Sequence, residues 1–188
     1  VFAAFQDEML TVQAVTGATT QEFNRLYEQA KKLGAETALS SSQAAAGQVS
    51  LARQGFSPDE IEAAIPSVVA LTLATGTDLA RAADIAAGTL RAFSLHASEM
   101  GRVTDVLVAT ANNSAQTLED LGDSMKYAAP IAAEYGLSIE QTAKALGVLA
   151  NMQIKGSMAG TSLRNIMLAL ANPAVQEQLN SIGVAAVD

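Results

Sequence analysis

The chain contains few side chains of the kinds that perform catalysis or bind metals. It has one histidine, His96, and no cysteine among its 188 residues. A metal site needs several histidine, cysteine or carboxylate ligands at fixed spacing, and a serine triad needs a histidine beside an activated serine in a motif such as GxSxG. Neither pattern is present. The sequence therefore predicts no metal site, no cofactor and no catalytic residue.

Two groups of carboxylates resemble the acid–base pair of a glycosidase in residue type. Asp59, Glu60 and Glu62 form the first group, and the second lies within residues 119–123. Both groups fall at the start of a predicted helix, where free backbone amides and the helix dipole stabilise each negative charge by ~0.3–1 kcal/mol. Helix capping explains these clusters without catalysis, so we expect the chain not to be an enzyme.

The composition indicates a helical protein and argues against several classes of ligand. Eleven basic and 19 acidic side chains give a formal net charge of −8, which repels nucleic acid. Hydrophobic residues make up 49% of the chain and aromatic residues only 4%. The longest apolar stretch, residues 63–74, is shorter than the roughly 20 residues that span a bilayer. We expect no nucleic-acid site, no membrane span and, because the N-terminal segment is acidic rather than basic, no signal peptide.

Apolar residues recur at the three- and four-residue spacing of amphipathic helices along the chain, as in Leu118, Leu121 and Met125. No convincing strand pattern interrupts them. The sequence therefore predicts an all-α fold, a compact bundle of about 8–10 short helices in helical hairpins, for which a solenoid-like arrangement is one option. The predicted organisation is a helical lead-in region at residues 1–55, followed by one helical core at residues 56–188.

Candidate helix caps recur about every 20 residues, so alternate caps lie about 40 residues apart, as in helical-hairpin repeats. Helices of average length joined by short turns give a similar spacing. The clearest start signal is Ser57-Pro58-Asp59-Glu60, which combines a capping hydroxyl, a proline in the first turn and a carboxylate three residues after the cap. The predicted caps are Ser57, Thr77, Ser98, Thr117, Ser138 and Ser157.

Glycine, proline and asparagine residues are expected to end or interrupt these helices. Pro66 should kink or break its helix because proline lacks a backbone amide. Gly34 is a plausible helix end, and Pro130 and Gly136 are expected to interrupt the pattern further along. Asn113 should end a helix because asparagine tolerates the left-handed conformation.

The segment from Gly156 to Arg164 allows two interpretations. Gly156 and Gly160 are expected to permit a turn and a close approach of two helices. Alternatively, the segment is a contact surface in which Arg164 pairs with an acid on a partner. Arg102 and Asp105 are neighbours on one helix face, where a surface ion pair contributes little.

Several short phrases follow one another in order between residues 55 and 170. They are GFSPDEIEAAIPSVVALTLATGTDLARAADI at 55–85, RVTDVL at 102–107, ATANNS at 109–114, LEDLGDSMKYAAPIAA at 118–133, GLSIEQTA at 136–143 and IKGSMAGTSLRNIMLAL at 154–170. Their order and spacing resemble the core of phage tail tape measure proteins, also called phage minor tail proteins. The motif positions that we single out are Thr77, Asp78, Asp105, Asn113, Pro130, Gly136, Gly156, Ala159, Gly160, Thr161, Leu163 and Arg164.

The resemblance implies a structural role in a bacteriophage or prophage tail. Proteins of this family scaffold the polymerising tail tube and set its length with the help of assembly chaperones. The resemblance thus implies the tail tube protein, tail assembly chaperones and sibling copies as partners, with a possible homo-oligomer. It also implies a location in the virion tail after assembly in the bacterial host cytoplasm. Because caps and breaks fold the chain back on itself, we expect a compact module rather than an extended ruler.

Two other functions remain open at this point. A helical-repeat module that docks a peptide or helix in a concave face is the main alternative, supported by the period near 40 residues. A cell-wall hydrolase is a third reading, and it would need a positioned acid such as Glu60, Glu119 or Glu140.

Overall fold

The computed structural model describes residues 2–182, which fold into ten α-helices and one short 3-10 turn at Ala97–Glu99. The helices are α1 (Phe2–Thr16), α2 (Thr20–Glu36), α3 (Ser41–Arg53), α4 (Pro58–Thr75), α5 (Leu79–Ala92), α6 (Met100–Asn112), α7 (Leu118–Glu134), α8 (Ile139–Asn151), α9 (Gly156–Leu170) and α10 (Pro173–Ser181). The described range contains no strand, and the predicted all-α helical bundle is confirmed. The last six residues of the predicted core, 183–188, lie outside the described residues.

The helices stack in two layers, with the odd-numbered helices in one layer and the even-numbered helices in the other. Each odd helix packs on the next, from α1 on α3 to α7 on α9, and helices α2, α4, α6 and α8 pack in sequence in the same way. The odd helices begin at residues 2, 41, 79, 118 and 156, which are intervals of 39, 38, 39 and 38 residues. This regular stack of helical hairpins is a short α-solenoid.

The core lies between the two layers. One continuous cluster of buried apolar side chains runs from Phe5 in α1 to Met167 in α9. Alanine supplies many members of the cluster, so neighbouring helix axes can approach closely. The last helix, α10, contributes no buried residue.

Three of the predicted caps begin helices as expected. Ser57, Thr117 and Ser138 each form a capping box. In this arrangement the cap hydroxyl accepts a hydrogen bond from the amide three residues later, and the side chain of that residue accepts from the amide of the cap. Each box satisfies two backbone amides that the first helical turn leaves free.

The other three predicted caps are wrong, because a neighbouring residue takes the position. The carboxylate of Asp78 accepts from two amides of α5, and a charged acceptor makes a stronger bond than a hydroxyl. The turn before α6 is capped by an imidazole nitrogen, and α9 begins without a side-chain cap. The residues that replace Thr77, Ser98 and Ser157 are Asp78, His96 and Lys155.

The predicted interruptions at Gly34, Pro66 and Pro130 do not end helices. All three lie inside helices, in α2, α4 and α7 respectively. Pro66 cannot donate to the carbonyl of Glu62, four residues earlier. The side chain of Gln29 in α2 donates to that carbonyl oxygen at 2.8 Å. A neighbouring helix thus supplies the hydrogen bond that proline removes, and α4 continues.

The residues Asn113 and Gly136, both expected near helix ends, differ in backbone conformation. The helix α6 ends at Asn112 and Asn113, as predicted, but Asn113 has φ −109° and so does not adopt the left-handed conformation. Its side-chain amide instead donates to the Ala109 carbonyl oxygen at 2.7 Å. Gly136 lies between α7 and α8 with φ +74°, a conformation that favours glycine.

Candidate functional site

Five of the motif residues stand at helix ends, in four different loops. Thr77 is buried, and the neighbouring Asp78 caps α5. Asn113 follows α6, and two glycines with positive φ lie on either side of α8. These five positions, Thr77, Asp78, Asn113, Gly136 and Gly156, do not converge on one cavity in the described residues. Their common property is that they turn the chain between successive helices.

The contact between α7 and α9 brings two backbones together at Gly160. A Cβ atom at this position would overlap the carbonyl oxygen of Ser124 in α7, and it would lie 3.0 Å from the carbonyl carbon of that residue. The fully buried Ser124 hydroxyl also lies 2.8 Å from the carbonyl oxygen of Gly156, at the start of α9. The absence of a side chain at Gly160 therefore allows α9 to pack closely against α7.

The remaining motif residues of α9 divide between its two sides. Ala159 and Leu163 are buried with Gly160 against the core. Thr161 and Arg164 are exposed on the other side of the helix. Only these last two α9 motif residues are accessible to another molecule.

Arg102 joins the third hairpin to the fourth. Its guanidinium donates to both carboxylate oxygens of Glu140 in α8, at 2.7 and 3.0 Å, and to Glu99 at 2.9 Å. The ion pairs of Arg102 are thus with Glu99 and Glu140 and not with its helix neighbour Asp105. The hydrogen bonds from Arg102, with a further one from Ser138, lower the pKa of Glu140 to about 2. The same contacts, chiefly that with Glu140, raise the pKa of Arg102 above its usual value.

Two other arginines connect successive hairpins in the same manner. Arg25 in α2 contacts Asp59 at 2.5 Å and Glu62 at 3.0 Å, both in α4. Arg81 in α5 contacts Asp123 in α7 at 3.4 Å. All of these side chains are substantially exposed, so each pair contributes little to stability. Arg25 joins the first hairpin to the second, whereas Arg81 and Arg102 both join the third to the fourth, so these contacts favour one register at those two boundaries.

The carboxylates that resembled a catalytic pair each form an ion pair with an arginine or lie in the first turn of a helix. Glu60 accepts from the Ser57 amide in a capping box. The pKa of Glu140 is lowered, whereas a general acid that works near neutral pH needs a raised pKa. The described residues contain no group of three or more side chains that could hold a metal ion.

Two shallow grooves run along the even layer, one on each side of α6. The first, between α4 and α6, is lined mainly by small residues and includes Asp105. The second, between α6 and α8, includes Asn113 and carries Glu140 and Lys144 at its edge. Both grooves are open surfaces rather than enclosed sites. Within residues 2–182 no single helix is long and apolar enough to cross a bilayer, and α4 with α5 reaches that hydropathy only as a pair bent by 116°.

A buried polar network connects three helices and has no clear signal in the sequence. The amide of Gln48 in α3 is fully buried, and it donates to the Leu26 carbonyl oxygen at 3.1 Å and to the Gln29 side chain at 3.3 Å. Gln29 in turn donates to Glu62 in α4. The only sign in the sequence that Gln48 has a special role is the occurrence of a glutamine within an alanine-rich helix.

Known proteins resemble this chain along nearly its whole length. A model of the phage-related minor tail protein family matches residues 27–188. A tape measure protein of Pneumococcus phage Dp-1 is 41% identical over 186 residues, which are 98% of this chain and 16% of that protein. A probable tape measure protein of Escherichia phage P2 is 35% identical over 188 residues, which are 98% of this chain and 23% of that protein. No solved structure matches the chain.

These matches confirm the resemblance seen in the ordered phrases, and they do not favour the helical-repeat binding module. The chain spans less than a quarter of the length of either relative. The family match covers most of the chain, including every motif position from Thr77 to Arg164. The chain therefore belongs to the phage-related minor tail protein family.

Proposed function

We propose that the chain is a segment of a tape measure protein, a component of a bacteriophage or prophage tail that scaffolds tube assembly and helps to set tail length. The alignment of two relatives named as tape measure proteins with 98% of the chain carries this proposal. Helix caps and ion pairs account for the carboxylates, and this supports a structural rather than a catalytic role for the segment.

Within this proposal the partners are the tail tube protein, tail assembly chaperones and sibling copies, and the location is the virion tail after assembly in the host cytoplasm. Thr161 and Arg164 are the exposed motif residues of α9 that are available for such contacts. The net charge of −8 favours contact surfaces on a partner that are neutral or basic.

The fold supports a module that organises assembly rather than the measuring part itself. The longest helix, α4, has 18 residues and so spans only about 27 Å. Residues 57–170 would reach roughly 170 Å as one straight helix. Because the hairpins fold this segment back on itself, its direct contribution to an extended length is small.

An in-frame deletion of residues 57–170 tests this function, with tail lengths measured by negative-stain electron microscopy. The control is a deletion of equal size elsewhere in the full-length protein, within a long uninterrupted helical segment, which should shorten tails by roughly 170 Å. We expect absent or irregular tails when 57–170 is removed. Tails shortened by the same roughly 170 Å would mean that the segment lies extended in the tail. Normal tails of unchanged length would refute a role in assembly.

A further inference from the structure

The two ends of the solenoid differ in their polarity. Helices α1 and α2 together carry eight charged side chains, two in α1 and six in α2. Helices α9 and α10 together carry two, Arg164 and Glu177. The last repeat of a solenoid needs a polar outer side, because no further repeat covers it. Apolar side chains are exposed at both ends, Leu10 and Val15 on α1 and Met158 and Ile166 on α9. The last described hairpin differs from the first in being much poorer in charged side chains.

The exposed side of α9 is formed by uncharged, largely apolar residues, apart from Arg164 at its edge. The buried residues of this helix pack on α7, and the residues on the other side face solvent. Met158 is 65% exposed and Ile166 is 48% exposed. We call the part of this surface that a further odd-layer helix would cover the end face, and it consists of Met158, Ile166, Ala169 and Leu170. The equivalent positions of α7, 38 residues earlier, are buried or half-buried in the stack.

The described part of the fifth hairpin, up to residue 182, is shorter than each of the first four hairpins. Its second helix, α10, has nine residues, whereas the other even-numbered helices have 13 to 18. No residue of α10 is buried, and Val175 and Leu179 are only half-buried. In each of the first four hairpins the second helix buries at least two apolar side chains, as α8 does with Ile139 and Leu146. The described part of the chain therefore lacks the contacts that would close this end of the core.

The spacing of the odd-numbered helices indicates where the missing contact would come from. Intervals of 38 or 39 residues, continued from residue 156, place the next odd-layer helix at residue 194 or 195. The matched relatives are four to six times longer than the part of them that this chain matches. We infer that the end face is an internal boundary of a longer solenoid, covered in the full-length protein by an odd-layer helix of the same polypeptide that begins near residue 195. This inference does not depend on a role in setting tail length.

Cysteine reactivity in the full-length protein tests whether the end face is covered. The 188-residue segment contains no cysteine, so thiols introduced by Met158→Cys and Ile166→Cys can be followed by peptide mass mapping. Leu73→Cys on α4 is the matched control, because Leu73 is 52% exposed and lies away from both ends of the stack. Each labelling rate is divided by the rate of the same variant in denaturant. We expect labelling at positions 158 and 166 to be at least about tenfold slower than at position 73.

A photo-crosslinker attached to the thiol of the Met158→Cys variant identifies what covers the end face. Unlabelled and 15N-labelled protein are refolded together, so that crosslinks within one chain and between chains differ in mass. We expect crosslinks within one chain to peptides near residue 195. Labelling at 158 and 166 as fast as at 73 would overturn the inference. Crosslinks between chains, or only to other parts of the same chain, would overturn it as well.

Discussion

Substitution of Gly160 by alanine adds one methyl group at the point where α9 meets the α7 backbone. The new Cβ would overlap the Ser124 carbonyl oxygen and lie 3.0 Å from two other backbone atoms of that residue. A flexible side chain could rotate away from such a methyl group, but the backbone of a packed helix cannot. The helix α9 must therefore move away from α7 or tilt. Either movement also lengthens the contact between the Ser124 hydroxyl and Gly156, which is now 2.8 Å.

Two opposing effects determine the expected loss of stability. Overpacking of a tight contact costs ~1–3 kcal/mol, and a backbone obstacle places this site at the upper end. Alanine in place of glycine inside a helix returns ~1 kcal/mol. The net effect is a decrease of about 2 kcal/mol in the free energy of unfolding, equivalent to about 4–8 °C in Tm for a chain of this size.

Gly88→Ala is the matched control for this experiment. Gly88 also lies inside a helix, α5, but a Cβ there would meet no atom within 4 Å. The control should therefore gain up to ~1 kcal/mol from helix propensity alone. Urea unfolding measures both variants, and hydrogen exchange should show faster exchange of the α9 amides in Gly160→Ala only. A Gly160→Ala protein as stable as Gly88→Ala, with unchanged exchange in α9, would refute the packing argument.

Two further predictions concern the ion pairs and the caps. An NMR titration should give Glu140 a pKa of about 2, and Arg102→Gln should move it back toward 4.5, because the hydrogen bonds from Arg102 are the main cause of the lowered value. Because the pKa of Glu140 is lower in the folded state, its ion pair contributes stability above pH 4.5, and this contribution is lost as the pH falls toward 2. The contribution is at most ~1 kcal/mol, since the groups are exposed. A pH dependence of stability that is unchanged in Arg102→Gln would contradict this. Ser57→Ala should lower the free energy of unfolding by ~1 kcal/mol because it removes a capping box. Ser157→Ala should leave it within ~0.5 kcal/mol, since Ser157 lies inside α9 and caps nothing, and equal effects of the two substitutions would contradict the cap assignment.

The sequence predicts local features of this fold better than contacts between hairpins. The capping box at Ser57 is complete within four residues, so the types and the spacing of these residues are sufficient to identify it. The partner of Arg102 lies 38 residues away, and its identity depends on how the third and fourth hairpins are aligned. The continuity of α4 through Pro66 similarly depends on Gln29 in another helix. Side chains that act across the stack therefore require the structure.

The candidate site shows the same division. The ordered phrases were sufficient to predict the family, and Gly160 could be singled out as a point of close approach from its residue type. The division of α9 into a side that packs on α7 and an exposed side with Thr161 and Arg164 required the stacking of the odd layer. Gln48 was missed because a buried glutamine in an alanine-rich helix has no local pattern that distinguishes it from a solvent-exposed one.

The nearest-neighbour pattern of helix packing also affects how such a chain folds during synthesis and unfolds under force. Among the described helices, every extensive contact joins helices that are adjacent in sequence or separated by one other helix. A low contact order of this kind allows each hairpin to dock on its predecessor soon after it leaves the ribosome. A pulling force applied to one end acts on one interface at a time, because the stability is close to a sum of neighbouring interfaces. The force needed to unravel the stack then depends on its weakest interface and not on the number of hairpins.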